Sequence, residues 1–340
     1  MASEHSRWSP LGLASAALGL ALFGITLRQT GLGPILEGIT RVGLWFPLVL
    51  AIAGARFWVR AHAWRLCTDD PAALPVADAF KAILGGDALG NLTPLGILAS
   101  EPAKAALVRH RATLMSAFSS IAIENLLYSL SVAVVIVAGI VALLFTFDVP
   151  AVLRTASLAV MCAVVVLVAT GALMLRRGWK VLAPALSWLD RTGLLPKALR
   201  TRLEKLLDLE DRVYGFTTRH PGRLSRVLLL DAGFHLLAIA EVWLVLALLV
   251  GARPGLLATF VLEAVNRAIT VAFKFVPLRL GVDEAGTELL TRTLGLTIGV
   301  GVTMAIVRKA RVLAWCAVGV AVLAQRGLRR AGGGNMPVPR

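Results

Sequence analysis

Long runs of apolar residues dominate this chain of 340 residues. The hydrocarbon core of a bilayer is about 30 Å thick, so a helix needs about 20 predominantly apolar residues to cross it. Runs of this length, or nearly so, are found at 11–27, 42–59, 114–145, 151–175, 225–250, 255–275, 293–306 and 312–324. They predict an all-α integral membrane protein with about eight transmembrane helices.

Composition supports the membrane interpretation. Hydrophobic residues make up 57% of the sequence and the mean hydropathy is +0.78, both far from the values of a soluble domain. No stretch is long and polar enough for a separate soluble catalytic domain, so we expect one polytopic membrane domain over residues 1–340. No small-x-small cleavage site follows Leu27, which favours an uncleaved helix at 11–27 over a secretory signal.

Lys and Arg are concentrated in the segment 176–226, and such residues mark cytoplasmic loops. If this segment is cytoplasmic, alternation of the spans places both termini and the segments 60–111 and 277–292 in the cytoplasm. The last two apolar runs would then form a hairpin, with the basic cluster at 308–311 near the outer headgroups. The alternative is that these two runs are not a simple hairpin.

The basic segment also indicates what the chain contacts. Leucines recur at helical spacing in LLPKALRTRLEKLLDLEDRVYGF opposite a basic face, a pattern typical of an amphipathic helix lying on a bilayer. A connector packed against the helix bundle would show the same pattern. The net charge of +15 is spread over membrane-flanking loops, so we expect membrane lipids, including anionic phospholipids, as partners and no nucleic acid.

The cysteines and the familiar motifs argue against several kinds of chemistry. Cys67, Cys162 and Cys316 lack the paired spacing of a zinc site or a disulfide framework. The sequence contains no GxGxxG, Walker, HExxH or GxSxG motif. We therefore predict no metal and no cofactor, and we assign no catalytic residue.

Two stretches of the sequence resemble each other. Residues 94–102 read PLGILASEP and residues 277–285 read PLRLGVDEA, so in both a Pro-Leu pair is followed five residues after the leucine by a glutamate, Glu101 or Glu284. Polar residues inside a membrane are costly and are therefore candidates for function. The alternative is that both stretches are ordinary interfacial loops and that their likeness is accidental.

Glycine and proline make both stretches poor continuous helices. Pro94 and Gly96 interrupt the first, and Pro277 and Gly281 interrupt the second. A broken helix is tolerated in a membrane only where protein covers it or where it lines a wet cavity. A pair of interrupted segments in corresponding halves of a chain points to the central site of a transporter, and we predict two broken, re-entrant segments here.

With these motifs the sequence resembles a known family, the transmembrane region of lysylphosphatidylglycerol synthases, a broad flippase-like group. The stretch VPLRLGVDEAG is similar to the Pro-x-x-x-Gly-Val-x-Glu element of that family, and LTPLGILASEPAKAALV is similar to its Pro...Gly-Glu-x-x-Arg element. IAIENLLYSL is similar to its Glu-Arg element. The resemblance covers about residues 10–325 and rests on Glu101, Lys104, Glu124, Pro277, Gly281, Val282 and Glu284.

The resemblance implies a lipid translocase that moves a polar-headed lipid between leaflets of the cytoplasmic membrane. Two alternatives are a membrane-embedded transferase acting on a lipid headgroup or polyprenyl phosphate, and a non-catalytic partner subunit of a lipid-modifying enzyme. Ser100, Asn125 and Leu278 depart from the family pattern, which bears on the identity of the lipid. The chain contains no counterpart of the soluble aminoacyl-transfer domain, so lysyl transfer is not predicted.

Candidate binding residues follow from the charge that a headgroup carries. A phosphate needs cations, and an aminated headgroup needs carboxylates. The candidates for a phosphate are Lys104, Arg267, Lys274 and Arg279, and those for an amine are Glu101, Glu124 and Glu284. The same charges would also suit internal ion pairs that hold the bundle together.

Further polar residues lie inside the predicted spans. Asp231 and His235 are four residues apart on one helical face, which suits either a proton relay or a local hydrogen bond. Glu263 and Arg267 have the same spacing, and a structural ion pair is the favoured interpretation. Arg56 is expected to extend towards the cytoplasmic headgroups.

Overall fold

The structure, a computed structural model, describes residues 40–92, 96–177, 218–273 and 281–332 and the single positions 36, 191, 212, 215 and 216. Within these ranges the regular structure is helical and contains no strand. The α-helices are α1 Phe46–Leu66, α2 Val76–Leu92, α3 Gly96–Leu107, α4 Leu114–Thr146, α5 Ala151–Arg177, α6 Pro221–Val250, α7 Leu256–Ala272, α8 Val282–Thr293 and α9 Val300–Gly332. The predicted helix at 11–27 and most of the basic segment 176–226 lie outside the described residues.

Length and hydropathy identify membrane-spanning helices directly. Among the described residues, four segments are long and apolar enough to cross a bilayer, namely Thr40–Leu66, Leu114–Thr146, Ala151–Gly171 and Pro221–Val250. They contain α1, α4, most of α5, and α6. The prediction of an all-α membrane protein is confirmed, whereas the exact count of eight spans stays a prediction.

The helix connections define two ends of the bundle. At one end, called the first end here, Asp69 accepts hydrogen bonds from Ser116 and Arg212, and Arg223 donates to the carbonyl of Thr68. At the other, called the second end, residues from the start of α1, the ends of α4 and α6 and the α8–α9 connection pack in one apolar cluster. It includes Val42, Leu143, Phe147, Leu246, Leu249, Leu294 and Leu296.

Helices α2 and α3 form a hairpin that opens at the first end. Arg111, just beyond α3, donates to Asp78 at the start of α2 at 2.9 Å, while Gly86 farther along α2 lies against Lys104 of α3. Burial works to raise the pKa of Asp78, but hydrogen bonds from Arg111 and His110 outweigh it and lower the pKa below its ordinary value. The chain therefore reverses between Leu92 and Gly96, where Pro94 was predicted to break the helix.

Helices α7 and α8 form a second hairpin, which opens at the second end. Gly286 of α8 lies against Ile269 near the end of α7, and Leu290 packs with Leu262 closer to that end. The connection 274–280, which contains Pro277, lies outside the described residues. The two segments predicted to be broken thus join antiparallel helices in two hairpins that enter the bundle from opposite ends.

Of the two alternatives for the runs 293–306 and 312–324, the structure supports the one in which they are not a simple hairpin. Residues 300–306 of the first run and all of the second belong to one continuous helix, α9, so the basic cluster 308–311 lies within a helix and not in a loop. No proline or glycine interrupts residues 302–318, and the polar cluster had suggested a loop only because it divides the apolar run. Helix α8, which begins in the segment 277–292, leads to the second end of the bundle. The membrane side on which this segment lies stays a prediction.

Helix α9 connects the two hairpins through close backbone contacts. A Cβ on Gly301 would lie 2.4 Å from the Cα of Glu288 in α8, and a Cβ on Gly319 would lie 2.3 Å from the carbonyl oxygen of Leu84 in α2. Only glycine permits such approach without a shift of backbone. These contacts fix α9 against both hairpins.

A similar approach joins α4 to α7 and supplies a test of the fold. A Cβ on Gly139 would lie 2.0 Å from the Cβ of Ala264, whereas one on Gly171 would meet nothing within 4 Å. We expect Gly139→Ala to lower the free energy of unfolding by about 1–3 kcal/mol, because overpacking forces the helices apart. Gly171→Ala is the matched control and should leave stability unchanged or slightly higher, as measured by unfolding in mixed micelles. Equal stability of the two variants would contradict the contact.

Candidate functional site

Charged side chains are buried where the hairpins meet the long helices. Burying a charge is costly unless an opposite charge and hydrogen bonds compensate it. The buried or nearly buried ionic side chains fall into two groups that lie next to each other. We call them the arginine cluster, which comprises Arg56, Arg267, Arg308, Arg311, Glu241 and Glu263, and the acidic cluster, which comprises Asp87, Glu101, Glu124, Asp231, Arg60 and Lys104.

One carboxylate in the arginine cluster serves two cations. Glu241 of α6 accepts a hydrogen bond from Arg56 of α1 at 2.9 Å through one oxygen, and its other oxygen accepts from Arg311 of α9. Arg56 is therefore bound inside the bundle, and the expectation that it extends to the headgroups is wrong. The shared glutamate joins three helices that are distant in sequence.

A second pair lies within α7. Arg267 donates to Glu263 at 2.8 Å and to the hydroxyl of Tyr128 in α4 at 2.8 Å. The favoured interpretation of these two residues as an ion pair along the helix is confirmed. Arg308 of α9 donates to Asn266, which places a third helix against the same part of α7.

The ring of Phe234 contacts two of these guanidinium groups. The central carbon of Arg56 is 4.5 Å from the ring centroid and that of Arg267 is 5.0 Å from it, both within the range of cation–π attraction. The Nε atom of Arg56 and the Nη2 atom of Arg267 are buried and have no hydrogen-bond partner within the described part of the chain. Each is a donor that an anion could use.

The arginine cluster carries more positive than negative charge. Its six named side chains are four arginines and two glutamates, so their formal charges sum to two positive, and Arg308 has a further contact outside this set. Like charges repel strongly where water is scarce, and a bound anion relieves that repulsion. The arginine cluster could therefore accept an anion, to which Arg56 Nε and Arg267 Nη2 could donate hydrogen bonds.

The acidic cluster has the opposite balance. Arg60 of α1 donates to both oxygens of Glu124 in α4 at 2.9 Å each, and it lies over the ring of Tyr128 at 4.4 Å. Lys104 of α3 pairs with Asp87 of α2 at 2.9 Å and with Glu101 at 3.3 Å. Tyr128 thus touches an arginine of each cluster.

Unused acceptors distinguish the acidic cluster from an ordinary ion-pair network. Glu101 Oε2 and Asp231 Oδ2 are buried and have no hydrogen-bond partner among the described residues. The cluster combines two cations with four carboxyl groups, so its formal charge is two negative when all four are ionised. A cationic group would find both charge and acceptors here.

Glu284 lies apart from both clusters. It accepts a hydrogen bond from the backbone N–H of Gly281, whose φ is 81°, at 2.8 Å, and it pairs with Lys309 of α9. Its neighbour on the next turn, Glu288, accepts from the N–H of Gly299, which lowers the pKa of that carboxyl. Both glutamates hold α8 against α9, and Gly281 supplies the left-handed backbone that the helix start requires.

The predicted site residues lie in several different places in the structure. Glu101, Lys104, Glu124 and Asp231 come together in the acidic cluster, and Arg267 lies in the arginine cluster. His235 lies beside both and is hydrogen-bonded to Ser131 at 3.0 Å. Glu284 accepts from the N–H of Gly281 and pairs with Lys309 of α9, and Gly96 begins α3. Pro94, Lys274, Pro277 and Arg279 lie outside the described residues.

Several residues of the clusters were not predicted as site residues. These are Arg56, Arg60, Asp87, Glu241, Arg308 and Arg311. The spacing of Arg56 and Arg60, one helical turn apart in an apolar run, was a usable signal of a common face. The pairing of Arg56 with Glu241 was not visible, because 185 residues separate the two.

The shared carboxylate supplies a test of the clusters. We expect Glu241→Gln to destabilise the protein by about 3–5 kcal/mol, because removal of one partner leaves buried charge uncompensated. The matched control is Arg292→Gln, which breaks a pair with Glu288 on a side chain that is 53% exposed and should cost about 1 kcal/mol or less. Thermal unfolding in detergent measures both. A loss of stability no larger for Glu241→Gln than for Arg292→Gln would refute the central role of Glu241.

Comparison with known proteins places this architecture in a family. Neither a curated protein nor a solved structure matches the chain significantly. The family described as lysylphosphatidylglycerol synthase TM region matches residues 11–319, which contain both hairpins and both charged clusters. The chain therefore belongs to the lysylphosphatidylglycerol synthase transmembrane-region family.

Proposed function

We propose that the protein is a lipid translocase that moves a polar-headed lipid between the two leaflets of a membrane. The observation that carries the proposal is the pair of buried donors on Arg56 and Arg267, both near Phe234, that have no hydrogen-bond partner among the described residues. Buried donors without partners cost about 1–3 kcal/mol each, so they are retained where a ligand uses them. A structural ion-pair network has no need of them.

A phosphate is the ligand that this part of the site suits best. Its oxygens accept several hydrogen bonds at once, and arginine presents donors in a matching planar fork. A phosphodiester, the group that joins the glycerol of a phospholipid to its headgroup, carries one negative charge and would offset part of the positive charge of the arginine cluster. The acyl chains would remain in the bilayer beside the bundle.

The acidic cluster would receive a cationic part of the same headgroup. Glu101 and Asp231 offer unused oxygens, and Tyr128 links this cluster to the arginines. Opposite formal charges in adjacent clusters match a headgroup that carries both a phosphate and an amine. The site therefore favours a zwitterionic or amino-modified phospholipid over a purely anionic one.

The two hairpins support movement between leaflets. Each opens at a different end of the bundle, and interrupted helices related in this way surround the central site in many transporters. We place the first end in the cytoplasm, because Arg65, Arg109, Arg111 and Arg223 gather there. Helix α9 starts at the second end and, at about 1.5 Å per residue, is long enough to bring the C-terminus to the cytoplasmic side.

Reconstitution tests the proposal. In vesicles that contain a phosphatidylethanolamine with a fluorescent acyl chain, loss of signal after a membrane-impermeant quencher is added measures movement between leaflets. We expect Arg267→Gln to slow movement by about tenfold or more, since loss of one charge-assisted hydrogen bond to phosphate is worth about 1.5–3 kcal/mol. Arg292→Gln serves as the exposed control and should move lipid as the wild type does.

Arg267→Lys separates binding from folding, because it retains the charge next to Glu263 but loses the planar fork. We expect it to keep the unfolding temperature of the wild type and still to move lipid more slowly. Movement by the wild type no faster than in protein-free vesicles would overturn the translocase proposal. Tight retention of lipid without movement would instead favour the role of a headgroup-binding subunit of a lipid-modifying enzyme.

A choice of lipids tests the two clusters separately. Phosphatidylethanolamine carries a phosphate and an amine, phosphatidylglycerol only the phosphate, and diacylglycerol neither. We expect Glu101→Gln to slow the first lipid more than the second, because only the first places a cation in the acidic cluster. Equal slowing of both would remove Glu101 from headgroup selection.

A further inference from the structure

A hydrogen-bond chain favours one tautomer of a buried histidine. The hydroxyl of Ser131 in α4 lies 2.8 Å from the carbonyl oxygen of Tyr128, to which it can donate, and 3.0 Å from His235 Nε2. With the hydroxyl proton donated to Tyr128, Nε2 carries the hydrogen of the contact with Ser131. In this tautomer neutral His235 has a bare lone pair at Nδ1, a base.

That lone pair has no partner. His235 is 5% exposed, and Nδ1 is buried without a hydrogen bond among the described residues. Asp231, one turn earlier on α6, is 1% exposed, and its Oδ2 is likewise buried and unpartnered. These two buried acceptors lie on successive turns of one helix, and the described residues offer neither of them a donor. Such a pair can take up a proton.

We infer that His235 and Asp231 bind the proton whose movement drives the lipid, so that the protein is a proton-coupled lipid translocase. The inference rests on the proposed function and names its energy source. A hydronium ion at one face loses a proton by breaking an O–H bond, and an N–H bond forms at Nδ1 or an O–H bond at Oδ2. At the opposite face that bond breaks and a water molecule takes the proton as hydronium.

The location of this pair explains how a proton would act on the headgroup site. The His235 ring is stacked with Tyr128 at 6.1 Å, and Tyr128 also contacts Arg60 and Arg267. A proton on His235 adds positive charge beside the arginine cluster and strengthens its hold on phosphate. A proton on Asp231 removes negative charge from the acidic cluster and weakens its hold on an amine.

Charged and titratable groups on the neighbouring helices α1, α4 and α7 act on His235 and Asp231. Those acting on Asp231 are Glu124 and Arg60, and Cys67 lies within electrostatic range of it. Those acting on His235 are Arg267, Glu263 and Arg56. Glu124 favours a proton on Asp231, whereas Arg56 and Arg267 oppose one on His235. A bound phosphate would cancel that opposition, so the phosphate and a proton on His235 assist each other's binding, whereas an amine and a proton on Asp231 oppose each other.

A pH gradient across vesicles tests the inference with the wild-type protein. The probe is phosphatidylethanolamine with a fluorescent acyl chain, present equally in both leaflets, at zero membrane potential. A gradient of one pH unit is a tenfold ratio of proton concentration, so coupling of one proton per lipid would drive a leaflet ratio towards about tenfold. Reversal of the gradient should reverse the ratio, and a pH dye in the lumen should report proton flux that depends on lipid.

Variants then assign the coupling to the pair. His235→Gln retains an N–H for Ser131 but has no basic nitrogen, and Asp231→Asn has no titratable oxygen. We expect His235→Gln to equilibrate lipid without accumulating it. Asp231→Asn should abolish accumulation and should also slow phosphatidylethanolamine, because Asp231 belongs to the acidic cluster that receives the amine. His62→Gln, at a histidine within hydrogen-bond distance of the backbone of its own helix at Trp58, should accumulate lipid as the wild type does. Infrared spectroscopy should show a protonated-carboxyl band that Asp231→Asn removes.

The outcomes separate this inference from the proposed function. Lipid movement that is equal with and without a pH gradient would overturn proton coupling and leave the translocase intact. No lipid movement under any condition would overturn both. Accumulation that persists in His235→Gln and Asp231→Asn would show that the proton is carried elsewhere and would overturn the assignment to this pair.

Discussion

The hydrogen bonds from Arg56 and Arg311 to Glu241 are the interaction on which the interior of the bundle depends. They join α1, α6 and α9 at a depth where a lone charge would be expelled. Once α9 is held there, Gly301 and Gly319 bring it against one hairpin each. The position of both hairpins therefore depends on α9, which Glu241 helps to hold. The site between the hairpins depends in turn on their position.

The buried charged side chains of the two clusters contribute no more to stability than apolar side chains would, but they form a site that can bind a charged ligand. An apolar core of equal volume would be as stable or more so, because desolvation of ion pairs offsets most of their attraction. The protein instead retains unequal numbers of acids and bases in two adjacent clusters and leaves several donors and acceptors unused. Such a site is most stable when a ligand with complementary charges occupies it. A lipid headgroup that carries both signs meets this condition, whereas a lipid tail does not.

Local sequence patterns predicted the features that depend on neighbouring residues. Apolar runs predicted helices and the membrane, proline and glycine predicted the reversals between α2 and α3 and between α7 and α8, and the spacing of Glu263 and Arg267 predicted their ion pair. The partners of Arg56 and Arg60 lie on other helices, so no spacing rule reveals them. The basic cluster in α9 misled for a related reason. Its three basic side chains donate hydrogen bonds to Asn266 of α7, Glu284 of α8 and Glu241 of α6, and these partners on other helices allow one helix to carry the cluster inside the bundle.

His235 Nδ1 and Asp231 Oδ2 have no hydrogen-bond partner among the described residues, and both atoms can bind a proton. The histidine touches Ser131 through one nitrogen and leaves the other bare, and Asp231 leaves an oxygen bare one turn away. Had evolution required only a stable helix contact, Gln at position 235 and Asn at position 231 would preserve shape and hydrogen-bond capacity without a buried base or acid. The ionisable versions differ from these in one respect, which is that they can gain and lose a proton. Placed beside two oppositely charged clusters, that property would, under the proposed coupling, link the charge state of the site to a proton gradient across the membrane.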